Sequence, residues 1–180
     1  TVPGAVDAWC CLSEDYGSLP LANVLAPAIR AAEEGYRVTP RVAHDWAANA
    51  GRLSHDDGAM KAFLIDGRAP RAGEKMAHPA LGATLREIGK AGRAGFYEGA
   101  AAAEIASLLG DRGGLLDRDD FAAHSSTYVT PISAAYRGYR LHECPPNGQG
   151  VTALIMLRIL EGFDLSEDAV DAATRIHLHA

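Results

Sequence analysis

The sequence is poor in the residues that mark several common protein classes. Cysteine occurs at only three positions, Cys10, Cys11 and Cys144. This odd number favours no disulfide framework, and the spacing lacks the paired ligands of a zinc site. The longest apolar run, 151–160, contains Arg158 and is well short of the ~20 residues of a membrane span. We therefore expect small buried thiols, no metal and no membrane-spanning helix.

Blocks of like charge are also missing. The formal net charge is -6, and basic and acidic residues are interspersed. This distribution gives no footprint for nucleic acid or for an anionic membrane. Hydrophobic residues make up 48% and charged residues 22% of the 180 positions, which is typical of one folded globular domain.

Helical periodicity dominates the first two thirds of the chain. Apolar spacing predicts helices over 6–16, 40–53, 58–65, 79–90 and 100–109, and another that begins after a capping Asp117. A further apolar stripe runs from Leu21 to Ala32 and ends at Gly35. Pro27 lies inside this stripe and lacks a backbone N–H, so we expect it to divide the stripe into two helices. The turn-rich residues 66–79 are expected to form an ordered loop.

The period changes to two from Thr127 onward. Residues 127–136 and 139–144 flank Arg137-Gly138, which predicts a β-hairpin with Tyr136 opposite Tyr139. Because Pro131 cannot donate to a ladder, the first strand should be an edge strand or be bulged there.

The C-terminal third of the chain predicts two further helices. Residues 151–160 are apolar nearly all round, which indicates a helix covered on most sides. A final helix should begin at a capping Ser166 and reach Ala180 without a stop signal, so we expect the natural chain to continue. The fold class is therefore α+β and mostly helical with a β-hairpin: a helical region over residues 1–126, a hairpin and buried helix over 127–162, and a truncated helix over 166–180.

Motifs that define several enzyme classes do not occur. The chain has no G-x-S-x-G elbow, no H-E-x-x-H and no phosphate loop. His177 and His179 are two residues apart, so on a helix they would point away from each other and share a metal poorly. His44 and His55 each precede an aspartate, but sequence neighbours seldom act as catalytic partners, and solvated surface is the simpler interpretation.

The stretch "CPPNGQG" carries the most local meaning. It leads from a predicted strand into the apolar helix, where backbone N–H groups and the helix dipole favour an anion. Asn147, Gly148, Gln149 and Gly150 are therefore candidate substrate-binding residues of a carboxylate or oxyanion pocket. The alternative is a rigid turn with an N-cap.

Thr1 is the other residue that suggests chemistry, because an N-terminal threonine can act as a nucleophile with its own α-amine as base. Such a nucleophile needs a following strand that holds it in a pocket. Here Pro3-Gly4 predicts a turn, and a helix follows. We therefore assign no catalytic residue to this chain.

Four stretches together resemble the γ-glutamyltransferase (γ-glutamyltranspeptidase) family. They cover almost the whole chain in the family's order. They read "TVPGAVDAW", "LANVLAPAIRAAEEGYRV", "FLIDGRAPRAGEKMAHPALGATLREIGKAGRAGFYEG" and "GGLLDRDDFAAHSSTYVTPISAAYRGYRLHECPPNGQGVTALIMLRILEGFDL".

The resemblance implies a portion of an αββα fold of the N-terminal-nucleophile hydrolase type. Family members cut themselves into a large and a small subunit, and the catalytic threonine begins the small subunit in a T-T-H-like motif that this chain lacks. The chain thus resembles an internal piece of the large subunit. The implied partners are the small catalytic subunit and a γ-glutamyl small molecule. No cofactor is implied, and the isolated chain should be inactive.

One departure from the family pattern leaves the acyl donor open. Where the best-known transpeptidases have a P-P-P-S-S-G-G-like loop, this chain has "PPNGQG". Another amidohydrolase or acylase of the same superfamily remains an alternative, as does a non-catalytic helical binding or assembly module. Exposed apolar surface near Leu154 would also permit self-association of the isolated piece.

Overall fold

A computed structural model describes residues 1–166 and 169–179 and divides the chain into two compact units, Thr1–Ser126 and Thr127–Ala180. The boundary falls where the apolar period changes from helical to alternating. Each unit has its own elements and its own buried residues.

Eight helices and one short antiparallel strand pair make up the described first unit. In chain order they are α1 Ala5–Tyr16, α2 Leu21–Glu34, β1 Tyr36–Arg37, α3 Pro40–Leu53, α4 Asp57–Phe63, β2 Lys75–Met76, α5 Pro79–Ala91, α6 Arg93–Tyr97, α7 Ala100–Asp111 and α8 Arg118–Ala123.

Local capping signals place several helix ends where the sequence predicts them. The Thr39 side chain accepts from the Val42 N–H and begins α3. Asp117 accepts from two backbone N–H groups in the first turn of α8, and Asp120 bonds back to the Asp117 N–H. Such reciprocal bonds satisfy donors that a helix start leaves free. Gly35 ends α2 at a φ of 86°, a left-handed conformation that glycine adopts without strain.

The predicted break at Pro27 is wrong, since α2 continues through that residue as one helix. Its missing N–H costs one helical hydrogen bond. Packing of α2 along α5 offsets that cost, and the two backbones approach closely. A Cβ on Gly89 would lie 3.2 Å from the Ala22 Cα. Tertiary contact therefore overrides the local helix-breaking tendency.

The core of the first unit joins α1, α2, α5, α6, α7 and α8. Its most buried members are Phe121 at 0% exposure and Ile88, Tyr97 and Ala102 at 1%. The remaining buried members are Val6, Cys10, Ile29 and Leu85. The prediction of buried thiols holds for Cys10 alone. Cys11 is half-buried and Cys144 is exposed, and all three are free thiols.

The second unit contains the predicted hairpin. Strands β3 Ile132–Tyr136 and β4 Tyr139–Glu143 pair antiparallel with Tyr136 opposite Tyr139. Arg137 and Gly138 have φ of 48° and 84°, the double positive-φ turn that matches strand twist. The first strand is shorter than predicted. It begins just after Pro131, so this proline interrupts no ladder.

Two helices complete the described portion of the second unit, α9 Gly150–Leu160 and α10 Ala172–His179. The expectation that α9 is covered on most sides is not met within this unit. Leu154 and Leu160 are buried, but Ile155 and Ile159 are 55% and 57% exposed. Large apolar side chains of α9 therefore face outward.

The final helix does not begin at Ser166 as predicted. It starts at Ala172, and the preceding Asp171 accepts from the Thr174 N–H at 2.7 Å. Ser166 instead accepts, through its carbonyl, the N–H groups of Ala169 and Val170. Both residue types cap helices well. Residues 167 and 168 and the predicted end at Ala180 lie outside the described residues. Within the described chain, no helix is long and apolar enough to cross a membrane.

Candidate functional site

The four candidate residues of the "CPPNGQG" stretch lie together where α9 begins. Asn147, Gly148 and Gln149 are exposed and Gly150 is half-buried. Gln149 is the N-cap residue, and its carbonyl accepts from the Thr152 and Ala153 N–H groups at 3.0 and 3.2 Å. The loop thus presents a helix N-terminus to solvent, where the macrodipole favours a negative group.

A carboxylate of the same unit already stands beside this helix start. A Cβ on Gly150 would lie 2.7 Å from the Glu143 Cβ and 2.9 Å from its Oε2. Glycine is therefore required at position 150 by close approach. By contrast, a Cβ on Gly148 would meet no atom within 4 Å. An anionic ligand at this loop would have to bind next to the negative Glu143 side chain.

Of the histidines singled out in the sequence, the His179 side chain lies outside the described part of the chain, and the other three do not form a site. His44, His55 and His177 are exposed. The aspartates beside the first two have other partners: Asp45 pairs with Arg41 at 2.8 Å, and Asp56 caps α4 through the Ala59 N–H at 2.8 Å. Among the residues that the structure describes, no group of three or more His, Cys, Asp or Glu side chains could hold a metal ion.

Sequence reasoning missed the most buried ionic group, which lies in the first unit. Asp7 of α1 is 3% exposed. Its Oδ1 lies 3.1 Å from Nε of Arg93 in α6, and its Oδ2 accepts from the Ser126 N–H. The His124 Nε2 lies 3.9 Å from the same Oδ2 and has no hydrogen-bond partner. Three chain stretches therefore meet at one carboxylate: α1, α6 and residues 124–126.

The environment of Asp7 favours its charged form. Burial alone would raise the pKa of this carboxyl. The hydrogen bonds from Ser126 and the nearby charge of Arg93 outweigh burial and hold the pKa below its usual range. Asp7 therefore stays ionised at neutral pH, and its charge is neutralised by a partner inside the fold.

Tyr97 completes this group from α6. Its hydroxyl donates to the Pro3 carbonyl at 2.6 Å and accepts the Asp7 N–H at 3.2 Å. The Tyr97 ring stacks on His124 at 5.2 Å between centroids, and the Arg93 guanidinium lies 5.0 Å from its centre. One signal in the sequence indicates this group. Asp7 is an acidic residue that shares the buried face of α1 with Val6 and Cys10.

With both areas placed, comparison with known proteins gives the family. Residues 1–180 match the γ-glutamyltranspeptidase family. The chain belongs to this family. It is 38% identical over 167 residues to the glutathione hydrolase-like YwrD proenzyme of Bacillus subtilis, covering 93% of this chain and 32% of that protein. The chain thus spans about a third of the length of the curated relatives that it matches.

Solved structures agree with the family assignment. The cephalosporin acylase of Bacillus halodurans is 43% identical, with a TM-score of 0.87 over 99% of this chain and 34% of that chain. The γ-glutamyltranspeptidase of Helicobacter pylori is 29% identical, with a TM-score of 0.86 over 99% of this chain and 52% of that chain. The predicted family and fold class, a portion of an N-terminal-nucleophile hydrolase fold, are confirmed.

Proposed function

We propose that the full-length protein to which this chain belongs is a γ-glutamyltransferase or γ-glutamyl hydrolase. The family match over residues 1–180 carries this proposal. In the proposed reaction a threonine hydroxyl outside this chain attacks the γ-amide carbonyl carbon. The carbon–nitrogen bond breaks, the amine leaves with a proton, and an acyl ester remains. Water or an acceptor amine then attacks the ester and restores the hydroxyl.

Thr1 is not the nucleophile in this proposal. It is exposed, and the residues after it lead directly into helix α1 at Ala5 rather than into a strand. The chain that directly follows Thr1 therefore supplies no strand to hold its α-amine and hydroxyl against a substrate. We infer that the chain alone is inactive and that catalysis requires the partner that supplies the threonine.

The exposed face of α9 is the surface that this partner would cover. Ile155, Met156 and Ile159 are 55%, 41% and 57% exposed, and Phe163 just after the helix is 44% exposed. Apolar side chains grouped in this way favour burial against another surface. The relatives named as proenzymes make a small catalytic subunit of the same precursor the expected occupant. Self-association of the isolated chain is the alternative.

The loop 147–150 is the segment of this chain that we propose to contact the substrate. It is exposed, and it offers backbone N–H groups at the start of α9. Asn147 and Gln149 add amide groups that can donate to a carboxylate or to a developing oxyanion. The neighbouring Glu143 carboxylate would favour a substrate that also carries a positive group, as the α-amine of a γ-glutamyl compound does.

An acylase activity is the second candidate. The chain is 43% identical to a cephalosporin acylase and 29% identical to a γ-glutamyltranspeptidase of solved structure. The "PPNGQG" loop also departs from the transpeptidase pattern. The dicarboxylic acyl group that such an acylase would remove lacks the α-amine of a γ-glutamyl group. The substrates of the two candidate activities therefore differ in one charged group.

Substrate profiling of the full-length protein tests both candidates. We expect faster turnover of γ-glutamyl-p-nitroanilide than of a matched glutaryl anilide, which lacks only the α-amine. The reverse order would favour the acylase, and no turnover of either would contradict both. Asn147→Ala should raise KM with little change in stability because Asn147 is exposed. Asn23→Ala, an exposed amide on α2, is the control and should leave KM unchanged.

A further inference from the structure

The segment after α8 has backbone groups but no secondary structure to satisfy them. Residues 124–131 are neither helix nor strand, although α8 ends at Ala123 and β3 begins at Ile132. Buried or half-buried backbone groups need partners from elsewhere in such a segment. At His124 and Ser126, and at Ala122 in the last turn of α8, those partners are two side chains of the helical unit.

Asp7 holds the amide side of this segment. Its Oδ2 accepts from the Ser126 N–H, and Ser126 is the last residue of the first unit. The carboxylate is fixed in turn, because its side chain is only 4% exposed and its Oδ1 pairs with Arg93 at 3.1 Å. A buried, charged acceptor makes a stronger bond to an N–H than a neutral one.

Arg93 holds the carbonyl side of the same segment. Its terminal nitrogen Nη2 donates to the Ala122 carbonyl at 3.0 Å and to the His124 carbonyl. Its Nε faces Asp7, so one planar guanidinium joins the carboxylate to two carbonyl groups. Arginine can do this because its five donors lie in a fixed plane. Glu98, at 3.4 Å from Nη1, lies on the exposed side of the same group.

We propose that the Asp7–Arg93 ion pair is a local clamp that orders residues 122–126 where the chain leaves the helical unit. The pair acts as a unit, because removing either partner leaves the other charge without compensation and frees the groups it held. The helices have separate support. Phe121 and Ile88 are fully buried in the core, and the start of α1 is held by the Tyr97 hydroxyl. Opening of the clamp therefore releases the segment while the helices stay folded.

Hydrogen exchange read by mass spectrometry on the complete chain tests this clamp. In Asp7→Asn, peptides covering 122–131 should exchange faster by about tenfold or more, while peptides of α2 and α5 keep their protection. Arg93→Lys keeps the positive charge but lacks the planar fork, and it should show the same local increase. Glu98→Gln removes only the exposed contact and should change exchange by less than about twofold.

Limited proteolysis supplies an independent measurement. Cleavage within 122–131 should accelerate in Asp7→Asn and Arg93→Lys and remain at the wild-type rate in Glu98→Gln. Unchanged exchange and cleavage in both variants would overturn the clamp. Equal loss of protection in α2 and α5, or failure of both variants to fold, would also overturn it, because the ion pair would then support the whole unit.

Discussion

Replacing Tyr97 with phenylalanine removes one hydroxyl from the core and tests how helix α1 begins. Gly4 is the N-cap of α1 and has no side chain to accept from the first-turn N–H groups. The Asp7 N–H donates instead to the Tyr97 hydroxyl at 3.2 Å, and that hydroxyl donates to the Pro3 carbonyl at 2.6 Å. A residue 90 positions away therefore does what a capping side chain usually does.

The size of the effect follows from these two bonds. Each buried hydrogen bond contributes about 0.5–1.5 kcal/mol, and a buried group left without a partner costs about 1–3 kcal/mol. Tyr97 is 1% exposed and Asp7 is 3% exposed, so water cannot replace the hydroxyl at the Asp7 N–H. We expect Tyr97→Phe to lower the free energy of unfolding by about 2–3 kcal/mol. The ring itself, with its stack on His124, is retained.

Urea unfolding followed by circular dichroism measures this loss. With a slope of about 1–3 kcal/mol per molar urea, the midpoint should fall by roughly 0.7–3 M. Tyr139→Phe is the matched control, because Tyr139 is 81% exposed, and it should change the unfolding free energy by less than about 0.5 kcal/mol. A loss below about 0.5 kcal/mol in Tyr97→Phe would refute the argument that the hydroxyl replaces a cap.

Further predictions concern the core and the buried ionic group. Phe121→Ala should cost about 3–5 kcal/mol in unfolding free energy, because Phe121 is 0% exposed, whereas the 95% exposed Leu115→Ala should be close to neutral. Because the fold lowers the pKa of Asp7, the ionised Asp7 side chain stabilises the folded state above about pH 4, and this contribution is lost as the pH falls through the folded-state pKa. Asp7→Asn should therefore flatten the acid side of the stability profile, and an unchanged slope would contradict this. Arg68 and the Arg71 N–H lower the pKa of Glu74 to about 2. Glu74 therefore also loses its stabilising contribution in acid, and it does so in the wild type and in Asp7→Asn alike. His124→Phe keeps the ring stack on Tyr97 and removes the buried Nε2, which has no hydrogen-bond partner. At pH 8 this variant should therefore be at least as stable as the wild type. A loss above about 1 kcal/mol in unfolding free energy would show that Nε2 is paired.

The regions of the fold that depend on local signals could be predicted from the sequence. Helix α3 begins after Thr39, whose side chain caps it, with Pro40 in the first turn where its missing N–H costs nothing. The hairpin turn at Arg137-Gly138 has the positive φ values that its residues indicated. In these places the determining contacts lie within a few residues of one another.

The regions that depend on distant contacts were predicted wrongly or missed. Pro27 does not divide α2, because α5 packs along the helix, and α5 lies more than 50 residues away in the chain. The bond between Asp7 and Ser126 spans 119 residues. Nothing in either local sequence specifies the other partner. Ser166 and Asp171 are both good helix caps, and only the folded chain shows that α10 follows the second.

The proposed substrate loop, residues 147–150, could be predicted from the sequence only in part. Its position at the start of α9 follows from the change of period in the sequence and agrees with the structure. The close approach of Glu143 to Gly150 does not follow from the sequence, although the two lie only seven positions apart, because it depends on how β4 turns into α9. In our proposal, the charge of that carboxylate favours the candidate substrate that carries an α-amine.

The most direct test of the account compares this chain with the full-length protein in one assay. Hydrolysis of γ-glutamyl-p-nitroanilide is measured for both at equal concentration, and for each with Thr1→Ala. The account predicts turnover by the full-length protein with and without Thr1→Ala, and none above background by the chain alone. Turnover by the chain alone that disappears with Thr1→Ala would contradict the account, because the catalytic threonine would then be the residue at position 1.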